Sequence, residues 1–377
     1  MMAPVNPREA AVNLRIPGPT PCPPEVLEAM GRQMINHRGP EFADLLARLT
    51  SGLQTLFQTK NDVLILTTSG TGAMEAAVVN TLSPGDRVLN VSIGAFGDRF
   101  ANIAETYGVD VVRMEVEWGK AASPDEIEKA LAADPAIKAV LVTHNETSTG
   151  VTNDLEAIAK VVRRFDKLLV VDAVSSLGSI PLPVDEWGVD VAVTASQKGF
   201  KVPPALAFAS VSERGWKAAA EAKIPRFYQD FAKARDFRDK GQTPWTPAVS
   251  VCFGLDVALD MLLKEGVENI FARHHRIGNK TREAVKSLGL QLFADEKFAS
   301  DTVTAVRVPE GVDGPSLNKL MREEYGTVLA GGQGRLAGKI FRIGHLGLVS
   351  EADIDATMDA LRKAFPRVGF QVPAAAS

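Results

Sequence analysis

The 377-residue chain has only two cysteines, Cys22 and Cys252. Two distant cysteines give neither a disulfide framework nor the paired spacing of a zinc site. No apolar run approaches the length that crosses a bilayer. Charge of one sign is also missing: 42 Lys plus Arg stand against 46 Asp plus Glu, a net charge of −4. Such a balance gives no electrostatic footprint for nucleic acid or an anionic membrane. The opening MMAPVNPREAAVNLRIPG lacks the apolar core of a signal peptide, and the closing QVPAAAS is not a peroxisomal address. There is no internal repeat and no low-complexity tract. These absences lead to the expectation of a reduced, cytoplasmic protein without nucleic-acid or membrane partners. What remains is ordinary for a globular enzyme, 45% hydrophobic and 23% charged residues, enough for one very large domain or two ordinary ones.

Residues 1–24 are proline-rich (Pro17, Pro19, Pro21, Pro23, Pro24) and read as an extended arm. Residues 24–60 carry Leu45, Leu49, Leu53 and Phe57 near helical spacing. Short β-branched runs then alternate with helical segments: 63–66, 87–91, 109–113, 139–143, 168–172, 189–193 and 205–210. That rhythm predicts an α/β fold with a mainly parallel, doubly wound sheet. Residues 211–248 break it with a charged, aromatic-bearing stretch. One long, largely helical segment is expected over 249–288. Strands near 301–308 and 339–343, with helices near 314–325 and 350–364, predict a smaller α+β unit. The expected division is an arm at 1–24, a large domain at 25–264 and a small C-terminal domain at 265–377.

Two strand ends carry the chemistry. Val170-Val171 runs into Asp172, and Val193-Thr-Ala runs into Ser196-Gln197-Lys198. The spacing suits one crossover between neighbouring strands, placing both groups where open α/β sheets bind ligands. An amine and a carboxylate there suit pyridoxal phosphate: one forms a Schiff base, the other keeps the pyridine nitrogen protonated. Between a strand and a helix, Thr67-Thr-Ser-Gly-Thr-Gly-Ala73 offers a flexible backbone, hydroxyls and a helix N-terminus to an anion. The Gly-Lys-Ser/Thr ending of a triphosphate loop is absent.

The set SGTGAME (69–75), HNETSTG (144–150), VDAVSSLG (171–178), SQKG (196–199), TPWTP (243–247) and FRIGHLG (341–347), opened by PGPTP (17–21), resembles the class V pyridoxal-phosphate aminotransferases. Within them it is similar to the alanine–glyoxylate, serine–glyoxylate and serine–pyruvate branch. The resemblance implies fold type I: a seven-stranded large-domain sheet, a small C-terminal domain and a homodimer with composite active sites. It implies that Lys198 is the Schiff-base lysine and that Asp172 is the partner of the pyridine nitrogen. Thr71, Gly72 and Ala73 match the phosphate cup, with Gln197 also reaching phosphate. Phe96 and Val174 match the residues on the two faces of the cofactor ring, and Thr147 a hydroxyl near its phenolic oxygen. Thr246 matches a threonine given by the other subunit, and Thr243 stands where some relatives carry a phosphate-contacting tyrosine. Arg342 matches the arginine that grips the substrate α-carboxylate, for which a planar fork is suited. Gly18 matches a backbone contact to substrate. His144 and His345 are read as structural, because the lysine already performs the proton transfers.

The expected reaction moves the amino group of alanine or serine to glyoxylate or pyruvate. Other class V donors (aspartate, ureidoglycine, aminoethylphosphonate) are alternatives, as are a lyase or a desulfurase. A desulfurase needs a mobile cysteine, and neither Cys22 in the arm nor Cys252 in a helix is well placed. A non-catalytic anion-binding protein is the remaining class. For a dicarboxylate donor, Arg38 and Arg335 are the cations placed on loops that reach toward the site.

Overall fold

The computed structural model describes residues 12–373. Seven strands form one sheet in the order Asp62–Thr68, Ala205–Val211, Val191–Ala195, Leu168–Asp172, Ile137–Thr143, Arg87–Ser92 and Asp110–Glu115. Ala205–Val211 runs antiparallel to both neighbours, and the other pairs are parallel. This is the α/β, mainly parallel sheet that the alternation of strands and helices predicts, with the seven strands that the resemblance implies. Every residue of Leu168–Asp172 is buried, because helices cover both faces. Leu169 and Val171 face the layer that contains Leu155 and Ile158, while Val170 faces the layer of Ala77 and Phe100. The period of two explains the division, and the double cover explains why the run is apolar throughout.

A second, four-stranded sheet has the order Asn13–Arg15, Thr327–Gly331, Ile340–Gly344 and Val303–Arg307. Its own core includes Val306, Leu317, Phe341, Ile354 and Phe365. The strand Thr327–Gly331 has no counterpart in the sequence reading.

Three expectations change. The arm at 1–24 is not a free extended segment over its described part. Asn13–Arg15 pairs in parallel with Thr327, Val328 and Leu329 of the same chain, and Asn13 donates to the Asp353 carbonyl and the Thr357 hydroxyl, both at 3.0 Å. Thr20 then bonds the Gln197 carbonyl through its N–H, at 3.0 Å. The arm therefore docks on its own chain, and residues 1–11 lie outside the described residues. The helical stretch over 249–288 is two helices, Val249–Glu265 and Val267–Ser287. Gly266 between them has φ +84°, a left-handed conformation that glycine adopts without a Cβ penalty. Residues 24–60 likewise hold two helices, Pro24–Met30 and Pro40–Phe57, each opened by a proline that needs no N–H partner. No helix among the described residues is long and apolar enough to cross a membrane.

Candidate active site

Asp172 and the strand leading to Lys198 are register neighbours, with Asp172 opposite Val193. Both side chains face a cavity of about 230 Å³ at the carboxyl ends of the strands. Gly18, Thr71, Phe96, Val174 and Gln197 line the same cavity. A larger open groove of about 1030 Å³ lies at the opposite strand ends, beside Ala139 and Leu168. It contains none of the sequence-predicted residues, and the amino-terminal edge is not where such sheets bind ligands.

Lys198 is 9% exposed. Burial pulls its ammonium down to about 8; Arg342 and Arg99 add to the drop, while Asp172 and Glu146 oppose it. Its Nζ donates to the Pro17 carbonyl, so the arm closes one side of the lysine. Gly18 is required there. Its φ is +125°, and a Cβ at that position lies 2.7 Å from Lys198 Cδ and 2.8 Å from Nζ. Gly18→Ala should therefore push the lysine out of line. A displacement of that order costs on the order of 10²-fold in kcat/KM. Steady-state kinetics on the folded variant check this, and unchanged kinetics would show that Lys198 tolerates the shift.

Asp172 is fully enclosed, and burial pushes its carboxyl up. The opposing contributions come from the Val174 N–H at 2.9 Å, the Thr143 hydroxyl at 3.2 Å, and the Lys198 and Arg99 cations.

The Gly-rich turn opens the helix Gly70–Thr81, capped by the Ser69 hydroxyl, which accepts the Gly72 N–H at 3.4 Å. The Ala73 N–H already bonds the Ser69 carbonyl at 3.0 Å. Of the predicted cup, Thr71 faces the cavity while Gly72 and Ala73 do not line it. Ser69 and Gly70 do, so the turn faces the cavity through residues 69–71. Gly72 has a packing reason: a Cβ there comes within 1.9 Å of Thr68 Oγ1.

Arg99 was missed. It lines the cavity, donates to Thr71 Oγ1 at 3.0 Å and stacks its guanidinium 4.7 Å from the Phe96 ring centroid. Phe96 and Arg99 are three residues apart on the helix Ala95–Thr106, a spacing that places side chains on one face. That spacing was the available signal.

Arg342 is buried in the strand Ile340–Gly344, opposite Ala305 and Ala330. Its Nε and Nη2 donate to the Gly331 carbonyl at 2.9 and 2.7 Å, and Nη1 donates to the Thr147 carbonyl at 2.9 Å. These bonds use three of the five guanidinium N–H groups, leaving two for a ligand. Burial lowers Arg342 to about 10, with Glu146 opposing, so it stays cationic at neutral pH. Thr147 is buried and enters this arrangement through its carbonyl.

Thr246 is exposed and away from the cavity. The Thr243 hydroxyl donates to the Trp245 carbonyl at 2.7 Å, within its own turn. Arg38 and Arg335 are engaged elsewhere: Arg38 donates to Gln242 Oε1 at 2.7 Å and the Thr243 carbonyl at 3.0 Å, and Arg335 stacks 4.2 Å from the Trp118 ring. His144 packs edge-on to Trp187, and His345 bonds the Thr304 hydroxyl at 2.9 Å. Burial lowers both imidazoles to about 3, so they are neutral. Burial pushes the Cys252 thiol up to about 12, far from a thiolate nucleophile.

Lysine and aspartate on adjacent strand ends of this sheet define the fold type I architecture of the pyridoxal-phosphate-dependent aminotransferases. The chain belongs to the class V aminotransferase family: the family model "Aminotransferase class-V" matches residues 12–341. It is 47% identical to a protein named soluble hydrogenase, small subunit, of Synechococcus sp. (strain PCC 6716), over 95% of this chain and 94% of that one. It is 41% identical to an L-aspartate–glyoxylate aminotransferase of Paracoccus denitrificans (strain Pd 1222), over 89% and 87%. Identity to a serine–glyoxylate aminotransferase of Methylorubrum extorquens (strain ATCC 14718 / DSM 1338 / JCM 2805 / NCIMB 9133 / AM1) is 40%, over 91% and 88%. Among solved structures, an alanine–glyoxylate aminotransferase from Nostoc sp. superposes with a TM-score of 0.91 at 31% identity, over 97% of each chain. The protein is an aminotransferase.

Proposed function

We propose that this chain binds pyridoxal phosphate through Lys198 and moves the amino group of alanine or serine to glyoxylate or pyruvate. The observation that carries this is one cavity, faced by Lys198, Asp172 and the N-terminus of the helix Gly70–Thr81; Arg342 does not line it but is close enough to lower the Lys198 ammonium. The residues fit the cofactor. Gly70 and Thr71 start a helix whose first N–H groups have no intrahelical partner, which suits a phosphate. Gln197 Oε1 is buried without a hydrogen-bond partner among the described residues, and its amide can turn toward that anion. Pyridoxal phosphate, when bound, supplies an aldehyde for amine exchange and a ring that acts as an electron sink.

The chain's own groups divide the remaining work. Lys198 Nζ, neutral for much of the time near pH 8, is the nucleophile and afterwards takes the proton from the substrate α-carbon. Asp172 holds the ring nitrogen protonated. Phe96 and Val174, which both line the cavity, would flank the ring, and Arg99 backs Phe96. Arg342 orients the α-carboxylate with its two remaining donors. Arg342→Ala should raise KM for donor and acceptor alike, since both carry that carboxylate. One charge-assisted contact is worth about 1.5–3 kcal/mol, or roughly 10- to 100-fold in kcat/KM. Cofactor absorbance should hold; its loss would place Arg342 at the phosphate instead.

Thr246 follows Trp245, which stacks on Phe227 and Tyr228, two large exposed aromatics. An exposed aromatic patch of this kind supports an interface. We assign it to a second copy of the chain, so that Thr246 completes the partner's phosphate site in a homodimer. The resemblance supports a division at about residue 264, next to the Gly266 break.

Three of the relatives above are named for glyoxylate and differ in donor: aspartate, serine and alanine. Aspartate is the second reading, and the Paracoccus relative favours it. A dicarboxylate needs a second cation at its side-chain end. Besides Lys198, Arg99 is the cation that lines the cavity among the described residues, but its Nη1 serves Thr71 at the helix N-terminus, which favours an uncharged donor. Hydrogen activation, in the name of the Synechococcus relative, has less support. Iron–sulfur clusters are held by sets of cysteine thiolates, and this chain has two cysteines.

The pH dependence of cofactor capture tests the lysine assignment. The neutral amine is the nucleophile, so the rate at which apoprotein takes up pyridoxal phosphate should rise with pH and level off above about 8. The visible absorbance band reports it, and borohydride should fix the label on Lys198. A rate that keeps rising to the 10.5 of an ordinary lysine would contradict the buried-amine assignment.

A further inference from the structure

Glu146 is completely buried, and none of the steps above uses it. Its Oε2 accepts the backbone N–H groups of Phe96 and Gly97, at 2.9 and 3.1 Å. Its Oε1 accepts the N–H and the hydroxyl of Ser148, at 3.0 and 2.7 Å. The Ser148 oxygen in turn accepts the Ala95 N–H at 2.9 Å. The helix Ala95–Thr106 follows Gly94, which has no side chain with which to cap it. Its first three N–H groups, which an isolated helix leaves unpaired, are thus all bonded from a separate loop. Close approach is built in: a Cβ on Gly94 lies 2.4 Å from Glu146 Cγ and 2.5 Å from Ser148 Oγ.

The other side of the same turn holds Arg342, through the Thr147 carbonyl. The three residues 146–148 therefore touch the helix that carries Phe96 and Arg99 and also the strand that carries Arg342. We propose that Glu146 is a positioning residue, fixing the Phe96–Arg99 wall and the Arg342 guanidinium relative to each other through one buried turn. This rests on the reading in which Phe96 covers the cofactor ring and Arg342 receives the carboxylate. A carboxylate suits the task better than an amide. An anion is favoured at a helix N-terminus, and hydrogen bonds to a charged acceptor are shorter and stronger. Burial pushes the Glu146 carboxyl up, while the bonds from Ser148 and Gly97 pull it back.

Glu146→Gln keeps the volume and removes the charge. Two titrations read the outcome: pyridoxal phosphate onto apoprotein, followed by absorbance, and the KM of donor and acceptor. Losing charge-assisted bonds should weaken cofactor binding on the order of tenfold and raise both KM values together, with a smaller change in kcat. Combined with Phe96→Ala, the cofactor loss should fall short of the product of the two single losses, because both act on one wall. A purely structural cap would lower the melting temperature and leave these affinities alone. Wild-type affinities in Glu146→Gln, or losses that multiply with Phe96→Ala, overturn the proposal. If Glu146→Gln does not fold, Ser148→Ala removes the Ala95 contact and one Glu146 donor. It should shift the same two affinities about threefold, and no shift overturns the proposal. The cofactor titration needs no turnover, so a protein that binds pyridoxal phosphate without transaminating fails the reaction assigned above and still decides this point. A protein that takes up no pyridoxal phosphate overturns both.

Discussion

Lys198→Ala should lose transamination by on the order of 10⁴-fold or more, since positioned acid–base transfer alone contributes about 10²–10⁴-fold and the nucleophile is lost as well. The variant should also lack the visible band of lysine-bound cofactor, and borohydride should no longer fix cofactor to the chain. The fold should survive. Burial holds the Lys198 ammonium down to about 8 against an ordinary 10.5, so below pH 8 the folded protein bears the cost of a charge it disfavours. That cost fades as pH rises from about 8 toward 10.5, and the substitution removes it. The packing of the buried lysine stem is lost as well and opposes that gain, so melting at neutral pH should change little, and kinetics should change by orders of magnitude. Near wild-type turnover would end the assignment of Lys198.

Asp172→Asn should keep the lysine-bound cofactor and slow proton removal from the substrate α-carbon. The local bonds can be kept: an amide oxygen can still accept the Val174 N–H, and the amide NH₂ can donate to the Thr143 hydroxyl. What is lost is the negative charge facing the ring nitrogen. Loss of one preorganised electrostatic partner costs about 10²–10³-fold in kcat. Single-turnover measurement with alanine isolates the step, and an unchanged rate would mean that Asp172 does not face the ring nitrogen.

Lys198 and Asp172 were legible in the sequence because strand ends announce themselves: a β-branched run stops and a charged residue follows. Register pairing of Asp172 with Val193 then brings the two together. The seven-stranded sheet was legible for the same reason, each strand being a short apolar run between helical segments. Asn13–Arg15 was not. Only one of its three residues is buried, and its partner strand lies near the other end of the chain, so no local pattern marks it. Gly266 was missed as a break because apolar spacing continues on both sides of it. Arg99 escaped because a cation on an amphipathic helix normally faces water; here the helix start is turned toward the cavity by Glu146, a long-range contact. Which residues of SGTGA face the cavity was not legible either. It follows from where the helix begins: Ser69 caps the helix Gly70–Thr81, and residues 69–71 line the cavity while Gly72 and Ala73 do not.

The donor is decided by one assay. Purified protein with pyridoxal phosphate is given glyoxylate and, in turn, alanine, serine or aspartate, and glycine formation is measured. Alanine or serine should exceed aspartate in kcat/KM by at least about tenfold, since a carboxylate side chain without its own cation is left unpaired in the site. Glycine formed fastest from aspartate would contradict the uncharged-donor reading and turn attention to Arg99; no glycine from any donor would contradict the reaction itself.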